Sequence, residues 1–185
     1  MKKILAIAAL AATALTANAA NYVSVDVDSV KGRQGASDST AQYIRAGKGF
    51  GDYQLGLQGR TARVDGGGTL SSVEATVANN RVSVMGITPF VGIGHDNGFN
   101  SAPGSAYNYG LVGATTGFKV GPGFLLAGAK TRVGSTQDGD RTKQTVVFTT
   151  YSIPVAKDVS LNLNASRSSQ DIKEKAFGVG VGFAF

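Results

Sequence analysis

The chain holds one histidine, His95, beside Asp96 and ahead of a polar stretch that contains Ser101 and Ser105. Those are the residue types of an acid/base centre or of a Ser-His-acid hydrolase. Serines and aspartates are ordinary loop residues, however, and one imidazole without a positioned set of partners reads as a solvated loop side chain. One His with no Cys argues against a structural zinc site. Asp138-Gly-Asp140 and Asp65-Gly-Gly-Gly68 look like fragments of calcium loops, yet no ordered set of oxygen ligands accompanies them, so they read as hairpin turns. Gly66-Gly67-Gly68 lacks the Lys-Ser/Thr and the helix that a phosphate loop requires. No catalytic residue, metal site or cofactor is expected.

The more informative charges are Asp26, Asp28, Arg60, Glu74, Lys130 and Arg132, because each falls in a segment where polar and apolar residues alternate. Val23, Val25 and Val27 oppose Ser24, Asp26 and Asp28. Tyr53, Leu55, Leu57 and Thr61 oppose Gln54, Gln58 and Arg60. Leu125, Ala127, Ala129 and Val133 oppose Lys130 and Arg132, and Val159, Leu161, Leu163 and Ala165 oppose Ser160, Asn162, Asn164 and Ser166. A period of two belongs to strands, whose side chains point to opposite faces. The six charges are therefore expected on one face of a sheet, where mixed signs line an aqueous path or pair into a plug.

The last eleven residues decide which face is which. Phe177, Val179, Val181, Phe183 and Phe185 share one side of the final strand, and only Ala or Gly occupies the other. A strand of roughly 9–11 residues with an apolar outer face is one tilted bilayer crossing, and in lipid an unpaired edge is forbidden, so the sheet must close. Breakers divide the chain into about ten strands, near 20–31, 40–48, 52–64, 70–79, 82–94, 107–119, 123–133, 143–152, 158–167 and 175–185. Eight strands is the alternative. Short turns at Gly49–Gly51, Asn80-Arg81, Val120–Pro122 and Ile153–Lys157 alternate with polar loops near Gly32–Ser39, Asp65–Thr69, His95–Ala106, Gly134–Thr142 and Ser168–Glu174. The turns are expected on the periplasmic side and the loops outside.

Two places break the pattern. Apolar positions change parity between Val82, Val84 and Ile87, Val91, Ile93, which points to a bulge near Met85-Gly86 or a displaced turn. Pro89 removes a ladder donor and needs a bulge or a strand end. The stretch Thr145–Tyr151 carries apolar residues on both faces and assigns no inward set.

At the start, Lys2 and Lys3 precede an apolar run and Ala17-Asn18-Ala19 supplies small residues for cleavage, so residues 1–19 read as a secretory signal and 20–185 as one domain. Loss of the two lysines lowers the formal charge from +6 to +4, too mild to argue for nucleic acid. Twenty-six Gly, four Pro and no Cys suit an exported sheet protein without disulfides.

The Lys-Lys signal ending Ala-Asn-Ala, the strand-turn cadence, Ile87-Thr-Pro-Phe-Val-Gly-Ile-Gly94 and the terminal Gly-Phe-Ala-Phe185 resemble the small outer-membrane β-barrel superfamily of Gram-negative bacteria, in the style of the OmpA-like barrel, OmpX and opacity-type proteins. The resemblance implies an all-β, single antiparallel up-and-down transmembrane barrel in the cell outer membrane. It further implies that the barrel-assembly machinery recognises the last strand through Val179, Val181, Phe183 and Phe185. Small members of that superfamily have eight strands, and no peptidoglycan-binding domain follows the barrel here, so no specific activity is carried over.

Aromatic residues at strand ends are expected to form two girdles, with Tyr53, Tyr151, Phe183 and Phe185 near the periplasmic rim and Tyr107, Tyr109 and Phe177 near the outer one. Gly56, Gly92, Gly94, Gly110 and Gly128 are expected to make room in the lumen for Phe90, Gln58 or Arg60. Eight basic residues, Lys31, Arg33, Arg63, Arg141, Lys143, Arg167, Lys173 and Lys175, and eight acidic ones, Asp28, Asp38, Asp65, Asp96, Asp138, Asp140, Asp171 and Glu174, lie near the outer strand ends. That balance is compatible with contacts to outer-membrane lipids and lipopolysaccharide phosphates and with bridging by divalent ions, and does not support a dedicated receptor site. The expected role is structural, in the envelope or in surface contact. A narrow porin-like diffusion channel is the alternative, and an outer-leaflet lipid or peptide hydrolase a remote one. Oligomeric state is not legible.

Overall fold

Alternation with a period of two makes ten strands, and closure of the sheet leaves none of them with a free edge. The structure, a computed structural model, describes residues 21–32, 38–65, 68–97, 106–136, 141–170 and 174–185. The signal segment 1–19, Arg33, Gly66, Gly67, Ser101, Ser105, Asp138, Asp140, Asp171 and Lys173 lie outside the described residues. The strands are β1 (Asn21–Gly32), β2 (Ser39–Phe50), β3 (Tyr53–Val64), β4 (Thr69–Asn79), β5 (Ile87–Asp96), β6 (Tyr107–Val120), β7 (Gly123–Thr136), β8 (Arg141–Ala156), β9 (Val159–Gln170) and β10 (Glu174–Ala184). Each is antiparallel to its neighbour in sequence, and β1 pairs with β10 from Tyr22↔Ala184 to Gly32↔Glu174, which closes the barrel.

The barrel is inside-out relative to a water-soluble protein. Asp26 is 1% exposed and Glu74 5%, whereas Leu57 is 58%, Phe177 64% and Ile93 70% exposed. In water such a continuous apolar exterior would be an aggregation surface. Against hydrocarbon it costs nothing, and the polar groups are instead gathered inside.

The displaced parity before Ile87 proves to be a longer turn than expected. Strand β4 stops at Asn79, whose side-chain carbonyl accepts from the Arg81 N–H at 2.9 Å and caps a single 3-10 turn over Asn80–Val82. Val84 and Ile87 then exchange backbone hydrogen bonds around Met85-Gly86, both at positive φ (53° and 79°), as a two-residue hairpin turn requires. Residues 82–86 thus belong to the turn and not to the strand expected from 82. Pro89 stands just beyond Ala78↔Phe90, where the ladder to β4 ends, so its missing donor is lost where β5 is paired on one side only. Strand β8 runs on to Ala156 through a register shift at Pro154, which places that proline at a bulge and shortens the expected Ile153–Lys157 turn.

The remaining short connections need little chain. Gly51 and Gly121 adopt positive φ (58° and 53°) beside the closing pairs Phe50↔Tyr53 and Val120↔Gly123. The start of β1 and Phe185 lie with these turns: Asn21 Nδ2 donates to the carbonyl of Phe185 at 3.1 Å.

If the outer face meets hydrocarbon, Val179→Arg, on an outward position of β10 that is 51% exposed, is expected to lower the stability of the lipid-inserted barrel by about 2–4 kcal/mol. Urea titration of vesicle-inserted protein reads this directly. A change within about 0.5 kcal/mol, ordinary for a wetted surface site, would place that face in water.

Candidate functional site

Strand parity sends Asp26, Asp28, Arg60, Glu74, Lys130 and Arg132 into the lumen, where all six are buried or nearly so. Removing a charge from water is expensive unless it is paired and hydrogen-bonded. Three groupings supply partners to five of them, while the buried Oδ1 of Asp28 accepts no hydrogen bond among the described residues.

Around Asp26, the carboxylate accepts from the Arg45 guanidinium of β2, from Ser24 Oγ at 3.0 Å and from Asn164 Nδ2 of β9 at 2.8 Å. Arg45 Nε also donates to Gln58 Oε1 at 3.0 Å, and its guanidinium lies 4.4 Å from the centre of the Tyr43 ring. Asn164 reaches Asp26 across β10 because that strand, from Gly178 onward, turns only Gly178, Gly180, Gly182 and Ala184 inward. A Cβ added at Gly180 or Gly178 would stand inside the contact radius of Asp26 or Asp28. The smallness of the last strand's inner face is thus the space that the β1 carboxylates occupy.

Around Glu74, one carboxylate serves two cations. Arg132 donates from Nη2 at 2.7 Å and Nε at 3.0 Å, Lys130 Nζ donates to the other oxygen, and the Tyr109 hydroxyl donates at 3.3 Å. Arg132 Nη1 continues to Gln144 Oε1 at 2.9 Å, and its guanidinium lies 5.0 Å from the Tyr109 ring centre. Since β5 and β6 stand between β4 and β7, this ion pair spans a chord of the barrel and not a neighbouring rung. A second chord joins Arg60 of β3 to Glu174 of β10 at 3.3 Å, across β2 and β1. Aromatic side chains share the lumen toward the short-turn end: Phe90 overlies Gly113 and Phe148 overlies Gly128.

Several expected placements change. Tyr107 and Tyr109 do not join an outer girdle: both are 4% exposed, inside the lumen, with ring centres 5.4 Å apart. They share parity with buried Leu111, while Val112 and Phe118 are exposed on the outer face, and Gly94 leaves room for the Tyr109 ring. Gly110 faces outward and makes no lumenal space. Asp28, Asp96 and Glu174 point inward and do not contribute negative charge to the outer rim. Arg45, Gln144 and Tyr43 are lumenal partners that the sequence reading did not single out, and Asn164, expected on the polar face of its strand, is the partner of Asp26. For Arg45 the signal was present in the alternation of Ser39, Ala41, Tyr43 and Arg45. Of the remaining aromatic positions, Tyr53 and Phe185 are exposed on the outer face at the short-turn end, Phe177 is exposed at the loop end, and the Tyr151 hydroxyl donates to the Val120 carbonyl at 2.9 Å. Val179 and Val181 face outward, as does Phe183 by strand parity.

His95 and Asp96 are divided by the same geometry. Asp96 is 2% exposed within the barrel, whereas His95 is on the outer face with Nδ1 2.9 Å from Asn108 Oδ1. Adjacent strand residues point to opposite sides of the wall, so the two do not form an acid/base pair.

No protein-family model and no curated protein matches the chain. Among solved structures, the translocator domain of the autotransporter NalP from Neisseria meningitidis matches with a TM-score of 0.51 at 11% identity, covering 100% of this chain and 94% of that one. Neisserial surface protein A matches with a TM-score of 0.46 at 14% identity over 90% and 97% of the two chains. The KdgM porin, solved in complex with disordered oligogalacturonate, gives 0.48 at 11% over 89% and 99%. The fold is that of the outer-membrane β-barrels, as the sequence resemblance implied.

Glu74→Gln removes the charge that holds Lys130 and Arg132 in the lumen. Breaking one partner of a buried pair is expected to cost about 3–5 kcal/mol. Replacing all three by uncharged residues of similar size is expected to recover most of that loss. Equilibrium unfolding in detergent or vesicles compares the two variants, and equal stabilities would mean that the three charges are not coupled.

Proposed function

We propose that this chain is an integral outer-membrane protein of a Gram-negative bacterium, exported by its signal segment, whose barrel is closed internally by its own side chains and whose role is structural, in the envelope or in surface contact. The observation that carries this reading is the pair of ion-pair chords, Arg60 with Glu174 and Glu74 with Lys130 and Arg132, which cross the lumen at two places. A ten-stranded barrel is only modestly wider than one whose interior side chains fill. Two bridges, backed by the Tyr107, Tyr109, Phe90 and Phe148 rings, obstruct the path a hydrated solute would need.

In this reading the partners are outer-membrane lipids and lipopolysaccharide along the wall, and the barrel-assembly machinery during insertion, with β10 and its outward Val179, Val181, Phe183 and terminal Phe185 as the recognised strand. No cofactor or nucleic acid enters it. An enzymatic role is not part of it either: the separation of His95 from Asp96 across the wall supports that.

Planar-bilayer recording of the refolded protein tests the closed lumen. Wild type is expected to insert without conductance steps, and a variant with Glu74, Lys130 and Arg132 all changed to Ser is expected to show small, reproducible ones. Steps from wild type whose ion selectivity shifts when Arg60, Glu74, Lys130 and Arg132 are neutralised would instead establish the diffusion channel. His95→Ala is expected to leave insertion and unheated gel migration unchanged.

A further inference from the structure

The wall of the barrel carries a row of cations that, among the described residues, has carboxylate partners at its Lys31 end only. Lys31 of β1 is the register partner of Lys175 of β10, and Lys175 is the partner of Arg167 of β9. All three side chains are exposed on the outer face. Like charges directly opposite one another in an antiparallel sheet repel. Among the described residues the one ion pair of the row is Lys31 with Asp38, at the start of β2. The hydrogen bond from Lys31 holds the Asp38 carboxyl below its usual range, so that partner stays ionised. Of the other nearby acids among the described residues, Asp28 and Glu174 face the lumen, where Glu174 is bound to Arg60, and exposed Asp65 acts electrostatically on Lys31 alone of the three.

The height of the row is as telling as its charge. The next outward positions toward the turns are Ser29, Phe177 and Ala165, then Val27, Val179 and Leu163. From Lys175 to Phe185 the strand covers about 33 Å, or about 25 Å along the barrel axis at the usual tilt, which is the height of an outer-membrane apolar band. The three cations therefore sit where hydrocarbon gives way to head groups, on the side opposite the short turns. Ser29, Lys31, Arg167, Lys175 and exposed Phe177 line a shallow depression of about 470 Å3 there.

We propose that Lys31, Arg167 and Lys175 bind the phosphate of a phosphorylated outer-leaflet lipid, whose acyl chains lie against Phe177 and the outward valines of β10. The guanidinium offers paired donors to phosphate oxygens and the two ammonium groups add point charges. Bound phosphate also relieves the repulsion within the row. The proposal rests on the outer-membrane reading above.

The test is native mass spectrometry of the detergent-folded full chain titrated with diphosphoryl lipid A, with its dephosphorylated counterpart, and with inorganic phosphate as competitor. Wild type is expected to prefer the phosphorylated lipid by between about tenfold and 100-fold, given about one kcal/mol per surface cation with Lys31 shared by Asp38. The triple variant Lys31→Gln, Arg167→Gln, Lys175→Gln is expected to lose that preference. A control with Arg63→Gln and Arg141→Gln, basic residues elsewhere on the outer rim, is expected to keep it. Equal binding of the two lipids overturns the proposal, as does a preference retained by the triple variant. Competition by inorganic phosphate at concentrations equal to the lipid would also overturn it, showing a site for free anions. Each variant is first inserted into phosphatidylcholine vesicles and checked by unheated gel migration. Failure of wild type to insert would overturn the outer-membrane reading itself, whereas insertion without phosphate selectivity overturns this site alone.

Discussion

Hydrocarbon supplies no hydrogen-bond partners, so every backbone N–H and C=O within it must be satisfied by the protein itself. An open sheet fails that condition at both edges. Here the ladder between β1 and β10, running from Tyr22↔Ala184 to Gly32↔Glu174, removes the last two edges. Everything else follows from closure. It fixes which alternate residues face outward, sets a lumen of limited radius, and brings strands distant in sequence within reach of one another's side chains.

The lumen carries the energetic consequence. Once polar residues alternate with apolar ones on a closed wall, their charges are confined to a narrow interior and must neutralise one another. Asp26 is satisfied by Arg45, Ser24 and Asn164, and Glu74 by Lys130, Arg132 and Tyr109. The inner glycines of β10 belong to the same economy, since side chains there would occupy the volume of the Asp26 and Asp28 carboxylates. The final strand therefore has two separate roles on its two faces: an exposed apolar surface outward, and space inward for charge. The outer face shows the complementary behaviour, with carboxylates withdrawn into the lumen and basic side chains left at the loop end of β1, β9 and β10.

Most strand positions were legible because alternation is a local property. The segment expected at 52–64 is β3 at Tyr53–Val64, and that expected at 107–119 is β6 at Tyr107–Val120. The reading failed where local preference and connection geometry disagree. Val82 and Val84 look like strand residues, yet the chain reverses around Met85-Gly86 and the strand begins only at Ile87. It also failed for Tyr107 and Tyr109. Their position near a strand end pointed to a girdle, whereas their parity with Leu111, opposite to Val112 and Phe118, already placed them inside. For β8 the alternation is ambiguous in itself, and contacts such as Gln144 with Arg132 and Phe148 over Gly128 identify its inner face.

What the amino-acid sequence determined by itself is the period, the outward apolar face and the need for closure, because the direction of a strand side chain depends on its own backbone and the solvent that face must meet. Which inward charges meet was decided only by the tertiary structure. Glu74 and Arg132 are 58 residues apart and Arg60 and Glu174 are 114; no local pattern relates them. Their pairing depends on the number of strands, the register and the radius of the closed wall, which exist only once the last strand has joined the first.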